Sequence, residues 1–258
     1  MSTLTSVSFE RRRLLSAAAG MAAAGLLAAC DGKRPTATAT APPPVPKRSA
    51  PVSLPPPPLP GEVAHGPRTG TEIALTFHGA GDPALDRRLL KELESAGAQV
   101  TVMAIGSWLD ADPSMARRVL DGGHELGNHT QNHGDIGSMS ASAAYAEITQ
   151  CADRLRRLTG SIGAWFRPSQ TQHASAMIQA QSRKAGYRAC LSYDLDSLDF
   201  KDPGSSAITR NVLNGIRPGS IVSMHFGHEG TVAAMPAILD GLRSRGLKPV
   251  TVSRLLGS

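Results

Sequence analysis

Short apolar runs alternate with amphipathic segments along the last three quarters of the chain, and the two kinds of segment predict strands and helices. Seven runs have the length and the apolar character of buried strands. They are EIALTF (72–77), AQVTVMAI (98–105), HELGN (124–128), GAWFRP (163–168), YRACLSYD (187–194), GSIVSMHF (219–226) and KPVTV (248–252).

Helical patterns lie between these runs. Segment 82–97 carries Pro83 where a first helical turn is expected, and segment 140–160 begins with the candidate cap Ser140 and ends at Gly160. Strands that alternate with helices indicate parallel pairing with helical crossovers. We therefore expect an α/β fold, and seven such units favour an incomplete (β/α) barrel of about seven parallel strands over an open sheet.

The first 30 residues have a different pattern. An arginine cluster is followed by an apolar run from Leu14 to Ala29 and by Cys30 at the end of LAAC. This order is typical of an export signal of twin-arginine character that ends in a lipobox. We expect an exported lipoprotein, anchored to the membrane through lipidated Cys30 and facing the cell wall or periplasm. A simple transmembrane anchor and a cleaved, soluble form are the alternatives, but the run is short for a bilayer of ~30 Å.

Residues 31–67 are rich in Pro, Ala and Thr. This composition leaves almost nothing to bury and predicts an extended, disordered tether. The remaining segment, 68–258, is expected to form one folded domain.

Charge and cysteine content narrow the possible partners. The whole chain carries a formal net charge of +6, but from Glu62 onward 20 Lys and Arg stand against 19 Asp and Glu, which leaves +1. The folded part therefore has no electrostatic footprint for nucleic acid. We also expect the protein to be a monomer. No pattern indicates a nucleotide, flavin or haem. Cys151 and Cys190 could pair in an oxidising compartment or remain two separate buried thiols.

Five of the seven predicted strands are followed by ionisable side chains. These are His78 and Asp82, then His129 and His133, then Arg167, then Asp194, Asp196 and Asp199, and finally His225, His228 and Glu229. Strand ends of a parallel barrel converge on one mouth, which is where such folds place their chemistry. A His-x-x-x-His pair alone is more often a surface feature. Its occurrence with the other groups, in order at strand ends, indicates a metal site.

The motifs resemble those of the polysaccharide deacetylases, carbohydrate esterases with a chitooligosaccharide deacetylase-like domain. The similarity covers the chain from about residue 72 to 256. It rests on HTQNH (129–133), FRPSQ (166–170), DLDSLDF (194–200) and SMH (223–225). The resemblance implies a distorted, incomplete (β/α) barrel and a bound divalent metal, with Zn²⁺ as the expected ion.

The resemblance also implies roles for individual residues. His129 and His133 would be zinc ligands, and His225 would be the general acid. Arg167 and Asp199 would form a buried supporting ion pair.

The first motif departs from the family pattern. Where the family has Thr-Phe-Asp-Asp-Gly, with a base and then a metal ligand, this chain has TFHGAGD (76–82). In one arrangement Asp82 completes the ligand set and His78 is the base. In the other His78 is the third imidazole ligand and Asp82 is the base. We favour Asp82 as ligand, because a carboxylate with two histidines preserves the family's coordination set.

The export signal and the strand-end histidines fit an exported, metal-dependent hydrolase. The family resemblance implies that it removes acetyl groups from an amino-sugar polymer of the cell envelope, either peptidoglycan or a chitin-like glycan. The alternative is a noncatalytic, glycan-binding envelope lipoprotein on a degenerate deacetylase fold. Changes in RPSQTQ (167–172) and Phe200, in place of a usual Trp, favour this inactive homologue. An envelope scaffold is a second alternative.

Overall fold

The computed structural model describes residues 60–257; the predicted export signal, Cys30 and most of the predicted tether lie outside them. The strands are β1 (Glu62–Val63), β2 (Glu72–Gly79), β3 (Thr101–Ala104), β4 (Glu125–Asn128), β5 (Cys190–Leu191), β6 (Leu195–Asp196), β7 (Ile221–His225) and β8 (Lys248–Pro249). The α-helices are α1 (Pro83–Ser95), α2 (Gly106–Ala111), α3 (Ser114–Asp121), α4 (Ala141–Thr159), α5 (Ala176–Lys184), α6 (Ser205–Gly215), α7 (Glu229–Ser244) and α8 (Val252–Leu256). Short 3₁₀ helices span Ile136–Ser138 and Asp199–Lys201. None of the helices in this part of the chain combines the length and apolar character that a membrane crossing requires.

The strands pair in parallel, which confirms the predicted α/β fold. One run of neighbours is β4-β3-β2-β7-β6, with β8 beside β2, and β1 pairs with β5. Phe166 bridges Asn128 of β4 to Cys190 of β5 and so connects the two groups. Within residues 60–257 no pairing joins β5 to β6, and the ring of strands stays open there.

The central strand β2 is buried along almost its whole length and pairs with β3 on one side and β7 on the other. Leucine and isoleucine side chains of α1 and α7 form one hydrophobic cluster with Ile73, Leu75 and Phe77 of this strand. The predicted starts of two helices are confirmed. Pro83 occupies the first turn of α1, and Ser140 caps α4, which ends at Gly160 in the left-handed conformation (φ 82°).

Three predicted strands are reduced to two paired residues or fewer. Segment 163–168 contributes only the bridge at Phe166, and segment 187–194 only the two residues of β5. Segment 248–252 was expected to be a strand throughout, but β8 ends at Pro249, which has no N–H to donate to a sheet. Thr251 then caps α8 by accepting the N–H of Arg254.

The folded region begins earlier than residue 68. Strand β1 lies inside the predicted tether, with Glu62 opposite Cys190. The glutamate carboxylate also accepts the backbone N–H of Ala174. A two-residue strand flanked by prolines and glycines has no periodicity that would reveal it in the sequence.

Cys151 and Cys190 are both buried and free, so the disulfide alternative is wrong. Burial raises the pKa of the Cys151 thiol to about 12 and that of Cys190 to about 11. Both are therefore protonated packing groups.

Candidate metal site and active centre

Three histidines, one from a strand end and two from one loop, meet at the mouth of the sheet. His78 lies near the end of β2, and His129 and His133 follow β4. Each offers one ring nitrogen such that these atoms all lie within 4.8 Å of one another. Parallel register explains the meeting, because β2, β3 and β4 are consecutive neighbours and their carboxyl ends lie at one edge.

The loop that carries His129 and His133 is held in an uncommon backbone conformation. Thr130 (φ 69°) and His133 (φ 57°) are both left-handed without being glycine. Side chains fix this turn: Asn128 Oδ1 accepts the N–H of Thr130 at 2.9 Å, and Thr130 Oγ1 accepts the N–H of His133 at 3.2 Å. Such conformations cost on the order of 1–3 kcal/mol each and concentrate at ligand sites.

His129 is oriented as a metal ligand would be. Its Nδ1 donates to the carbonyl oxygen of Arg167 at 3.0 Å, and the ring is 1% exposed. Its Nε2 is buried and has no hydrogen-bond partner. An unmet buried acceptor costs about 1–3 kcal/mol, and a cation at this lone pair would satisfy it.

The histidines are held neutral, as metal ligation requires. Burial, with smaller contributions from neighbouring imidazoles and Arg167, lowers the pKa of His78 well below its ordinary value. Burial and His133 do the same to the pKa of His129. The pKa of the half-buried His133 is also lowered, by burial and by His225. The donor set and its protonation therefore fit a divalent metal.

A second set of contacts connects His78 to a carboxylate through His225. Asp199 Oδ1 lies 2.7 Å from His225 Nδ1, and Asp199 Oδ2 accepts the His225 N–H at 2.8 Å and the Thr231 hydroxyl at 2.7 Å. Burial acts to raise the pKa of Asp199, but these hydrogen bonds outweigh it and the pKa is lowered. An ionised Asp199 keeps a proton on His225 Nδ1 and leaves Nε2 facing His78 Nδ1 at 2.8 Å.

Arg167 does not form the expected ion pair with Asp199. Its guanidinium is 1% exposed and donates to Thr76 Oγ1 at 2.8 Å, to the Ser192 carbonyl at 3.0 Å and to the Leu191 carbonyl at 3.3 Å. It also lies 3.3 Å from Nε2 of His78. The prediction fails because the oxygens of Asp199 are already engaged by His225 and Thr231. Burial lowers the pKa of Arg167 to about 10, and the side chain remains charged.

Asp82 is not part of the histidine group. Its side chain is at the start of α1, where Oδ1 accepts the N–H of Ala84 at 2.8 Å. The first N–H groups of a helix have no partner within the helix, and the Asp82 carboxylate accepts one of them. Asp82 therefore acts as the N-terminal cap of α1, directly before Pro83 in the first turn. This placement does not support Asp82 as ligand or base.

Position 79, where the family pattern has a carboxylate, is a glycine with close neighbours. A Cβ on Gly79 would lie 3.0 Å from the Trp108 ring and 3.1 Å from Val102. A side chain at this position would therefore require Trp108 and Val102 to shift. Among residues 60–257, His78 is the third side chain that the structure brings to His129 and His133.

Several residues of the centre have no role that the sequence predicted. Gln170, Gln172 and Tyr193 line the cavity of about 340 Å³ above the histidines. Asp86, also overlooked, is completely buried and accepts from Trp108 Nε1 at 3.1 Å and from the Gly227 N–H at 3.0 Å. Burial raises the pKa of Asp86 to about 7. In the sequence, Asp86 is an acidic residue among the leucines that form the apolar face of α1, and this unusual position could have identified it as a buried carboxylate.

The neutral histidines predict acid sensitivity of the metal-free fold. Because burial lowers the pKa of His129 in the folded state, the unfolded chain binds a proton below about pH 6.5 that the folded chain rejects. Its contribution to stability is present above pH 6.5 and is lost as the pH falls. The stability difference between wild type and His129→Asn, from urea unfolding in chelator, should shrink by at most about 2 kcal/mol from pH 7.5 to 5. A difference that is constant or grows in acid would contradict this.

Comparison with known proteins gives a consistent result. Residues 65–190 match the sequence profile of a family described as polysaccharide deacetylase. A peptidoglycan-N-acetylglucosamine deacetylase of Bacillus cereus is 32% identical over 188 residues, which are 71% of this chain and 87% of the relative.

Solved structures show the same fold. The crystal structure of a peptidoglycan N-acetylglucosamine deacetylase has a TM-score of 0.72 at 24% identity and covers 77% of this chain and 94% of its own. A CE4 family pseudoenzyme from Bacillus anthracis also has a TM-score of 0.72, at 21% identity, with 76% of this chain and 69% of its own covered. The fold is therefore shared by a deacetylase and by a pseudoenzyme.

Proposed function

Because the chain belongs to the polysaccharide deacetylase family, we propose that it removes acetyl groups from an amino-sugar polymer of the cell envelope, with peptidoglycan as the first candidate. The observation that carries the proposal is the unpartnered, buried Nε2 of His129 within a group of three neutral imidazoles. It stands beside a histidine whose Nδ1 is held by an ionised carboxylate. A ligand group and an acid–base group are thus adjacent.

We assign the metal to His78, His129 and His133, with zinc as the ion. Three imidazoles with an open fourth position form a known catalytic zinc set. A bound zinc would polarise the amide carbonyl and lower the pKa of water toward neutrality. The chain supplies the rest: His129 is oriented by the Arg167 carbonyl, and burial keeps the imidazoles deprotonated.

His225 is the residue that moves the proton. Asp199 holds its Nδ1–H, so Nε2, which faces His78 Nδ1 at 2.8 Å, is the atom that would accept and deliver a proton, in the end to the leaving amine. Arg167 has a supporting role, because its bond to Thr76 and its approach to His78 fix the end of β2.

The location of the protein rests on the sequence alone. We propose export and anchoring of the protein through lipidated Cys30. The proposed monomeric state rests on the sequence alone as well.

Noncatalytic glycan binding is the second candidate. It is favoured by the lack of a carboxylate in the ligand group formed by the described residues. The experiment is acetate release from chitooligosaccharides and peptidoglycan by the zinc-loaded protein. Release supports the hydrolase, whereas glycan binding without release supports the alternative.

Replacing His225 with alanine should lower kcat for acetate release roughly 100-fold, the lower range for losing a general acid or base. Bound zinc should stay at the wild-type level, since His225 is outside the ligand group. The matched control is His65→Ala, whose imidazole bonds only the neighbouring Gly66 carbonyl in this structure. Equal rates in the two variants would remove His225 from the mechanism.

A further inference from the structure

Two cavities meet at the histidine group, and their walls differ in chemistry. The first, of about 340 Å³, is lined by the polar side chains of Arg167, Gln170, Gln172 and Asp196 and by the apolar Pro168 and Phe200, among others. The second, of about 410 Å³, is lined by the apolar residues Ala80, Ile105, Trp108, Ala111 and Phe226, with Ser107 and His228 beside them. His78, His133 and His225 line both cavities, so the reacting atoms would lie between them.

An N-acyl amino sugar likewise has a polar part and an apolar part. Its sugar carries hydroxyl groups, its acyl chain is apolar, and the amide to be cleaved joins the two. We propose that the second cavity receives the acyl chain, and that the protein removes N-acyl groups longer than acetyl, of about four to six carbons. The inference rests on the proposed hydrolase function and extends it to the acyl group.

The size and surface of the second cavity support a chain longer than a methyl group. A volume of about 410 Å³ is within the range of ~300–1,000 Å³ that encloses whole small molecules. Each methylene moved from water to such a surface contributes about 0.8 kcal/mol, or roughly a fourfold effect on kcat/KM. An acetyl group alone would leave most of the wall in contact with water.

The walls of the cavity are already in place. Asp86 accepts from Trp108 Nε1 and from the Gly227 N–H, which connects α2 to the loop after β7. Ile105 and Phe226 are 6% and 2% exposed, and the Phe226 ring lies 6.0 Å from that of Trp108. No ordering of loops is needed before an acyl chain enters.

Small residues after β2 keep the cavity open. Gly81 (φ 119°) approaches Gly227 so closely that a Cβ would lie 2.4 Å from its Cα. Only glycine fits at position 81. Gly81 and Ala80 thus let the loop after β2 approach the loop after β7 without large side chains that would fill the second cavity.

The reaction is the ordinary hydrolysis of an amide. The oxygen of water forms a bond to the acyl carbonyl carbon, and the bond from this carbon to nitrogen breaks. The nitrogen takes the proton that His225 delivers, and the acyl group leaves as a carboxylate. Chain length changes none of these steps.

A binding measurement tests the inference without turnover. The chain has two tryptophans, Trp108 in the wall of the second cavity and Trp165 outside it, and each gives its own indole N–H signal in NMR. Titrating the zinc-free full-length protein with N-butyrylglucosamine should shift the signal of Trp108, and N-acetylglucosamine should shift it much less. Trp165, which bonds Ser253, is the internal control. The same titration with longer chitooligosaccharides gives the opposing outcome. If the Trp108 shift grew with the number of sugar units and did not depend on acyl length, the cavity would bind sugar and the inference would be overturned.

Kinetics give the second test. With N-acetyl, N-propionyl, N-butyryl and N-hexanoyl chitooligosaccharides, amine release should show a kcat/KM for butyryl on the order of tenfold above acetyl. Ala111→Leu should lower the butyryl-to-acetyl ratio at least about fivefold, and Ser107→Leu, on the same wall, repeats the test. The control Ala143→Leu, exposed on α4, should leave the ratio unchanged.

The outcomes separate the two proposals. Acetate release with rates that fall steadily with chain length, equally in wild type and Ala111→Leu, overturns the acyl assignment and leaves the deacetylase intact. No amine release from any member of the series overturns both.

Discussion

Replacing His129 with alanine should abolish metal binding and lower acetate release more than about 1,000-fold, because a bound metal contributes several kcal/mol of transition-state stabilisation. His129 is the best oriented of the three ligands, with Nδ1 fixed by the Arg167 carbonyl and Nε2 unpartnered. Two remaining imidazoles cannot hold zinc in a stable tetrahedral site. Zinc per chain is measured by mass spectrometry of dialysed protein, alongside acetate release.

The matched control is His173→Ala. This imidazole is exposed, lies outside the ligand group and bonds Glu62. It should retain wild-type zinc and wild-type acetate release. One zinc per chain in His129→Ala would show that the metal is held elsewhere.

Replacing Arg167 with leucine should destabilise the fold by about 3–5 kcal/mol. The guanidinium is buried and donates to the carbonyls of Leu191 and Ser192 and to Thr76, and each buried acceptor that loses its donor costs about 1–3 kcal/mol. Urea unfolding followed by circular dichroism measures the change. The leucine would also leave His78 without its neighbouring charge, so activity should fall with stability.

Arg88→Leu is the comparison for this variant. Arg88 is exposed and pairs with the exposed Glu229, and surface pairs of this kind contribute about 0–1 kcal/mol. If the two substitutions had equal effects on the free energy of unfolding, the buried guanidinium would not be the organising group that its contacts indicate.

The histidines of the centre could be predicted from the sequence, because the carboxyl ends of parallel strands meet by geometry. His129, His133 and His225 follow strands whose apolar runs are visible, and the structure brings all three close to His78. This reasoning needs only the order of strands along the chain and no detail of side-chain packing.

Partners of the charged groups could not be predicted in the same way. Asp82 was expected near the metal, but the unpaired N–H groups at the start of α1 engage it first. Arg167 was expected to pair with Asp199, yet five donors on a buried guanidinium find carbonyl oxygens that no sequence pattern identifies. Local competition for hydrogen bonds decides such choices, and it depends on coordinates.

The predicted lengths of some strands were wrong for a related reason. The apolar residues around Phe166 and Cys190 are buried as predicted, but they belong to the irregular side of the ring. Burial alone makes a run apolar, whether or not its backbone pairs continuously. Periodicity therefore identifies core segments there more reliably than it identifies strands.

The most direct test of the account is anomalous diffraction at the zinc edge from crystals of the protein grown with zinc. The account predicts one strong peak about 2.0–2.1 Å from a ring nitrogen of each of His78, His129 and His133, with no carboxylate of this chain in the coordination sphere. A peak bound by Asp82, or no peak at these histidines, would contradict it.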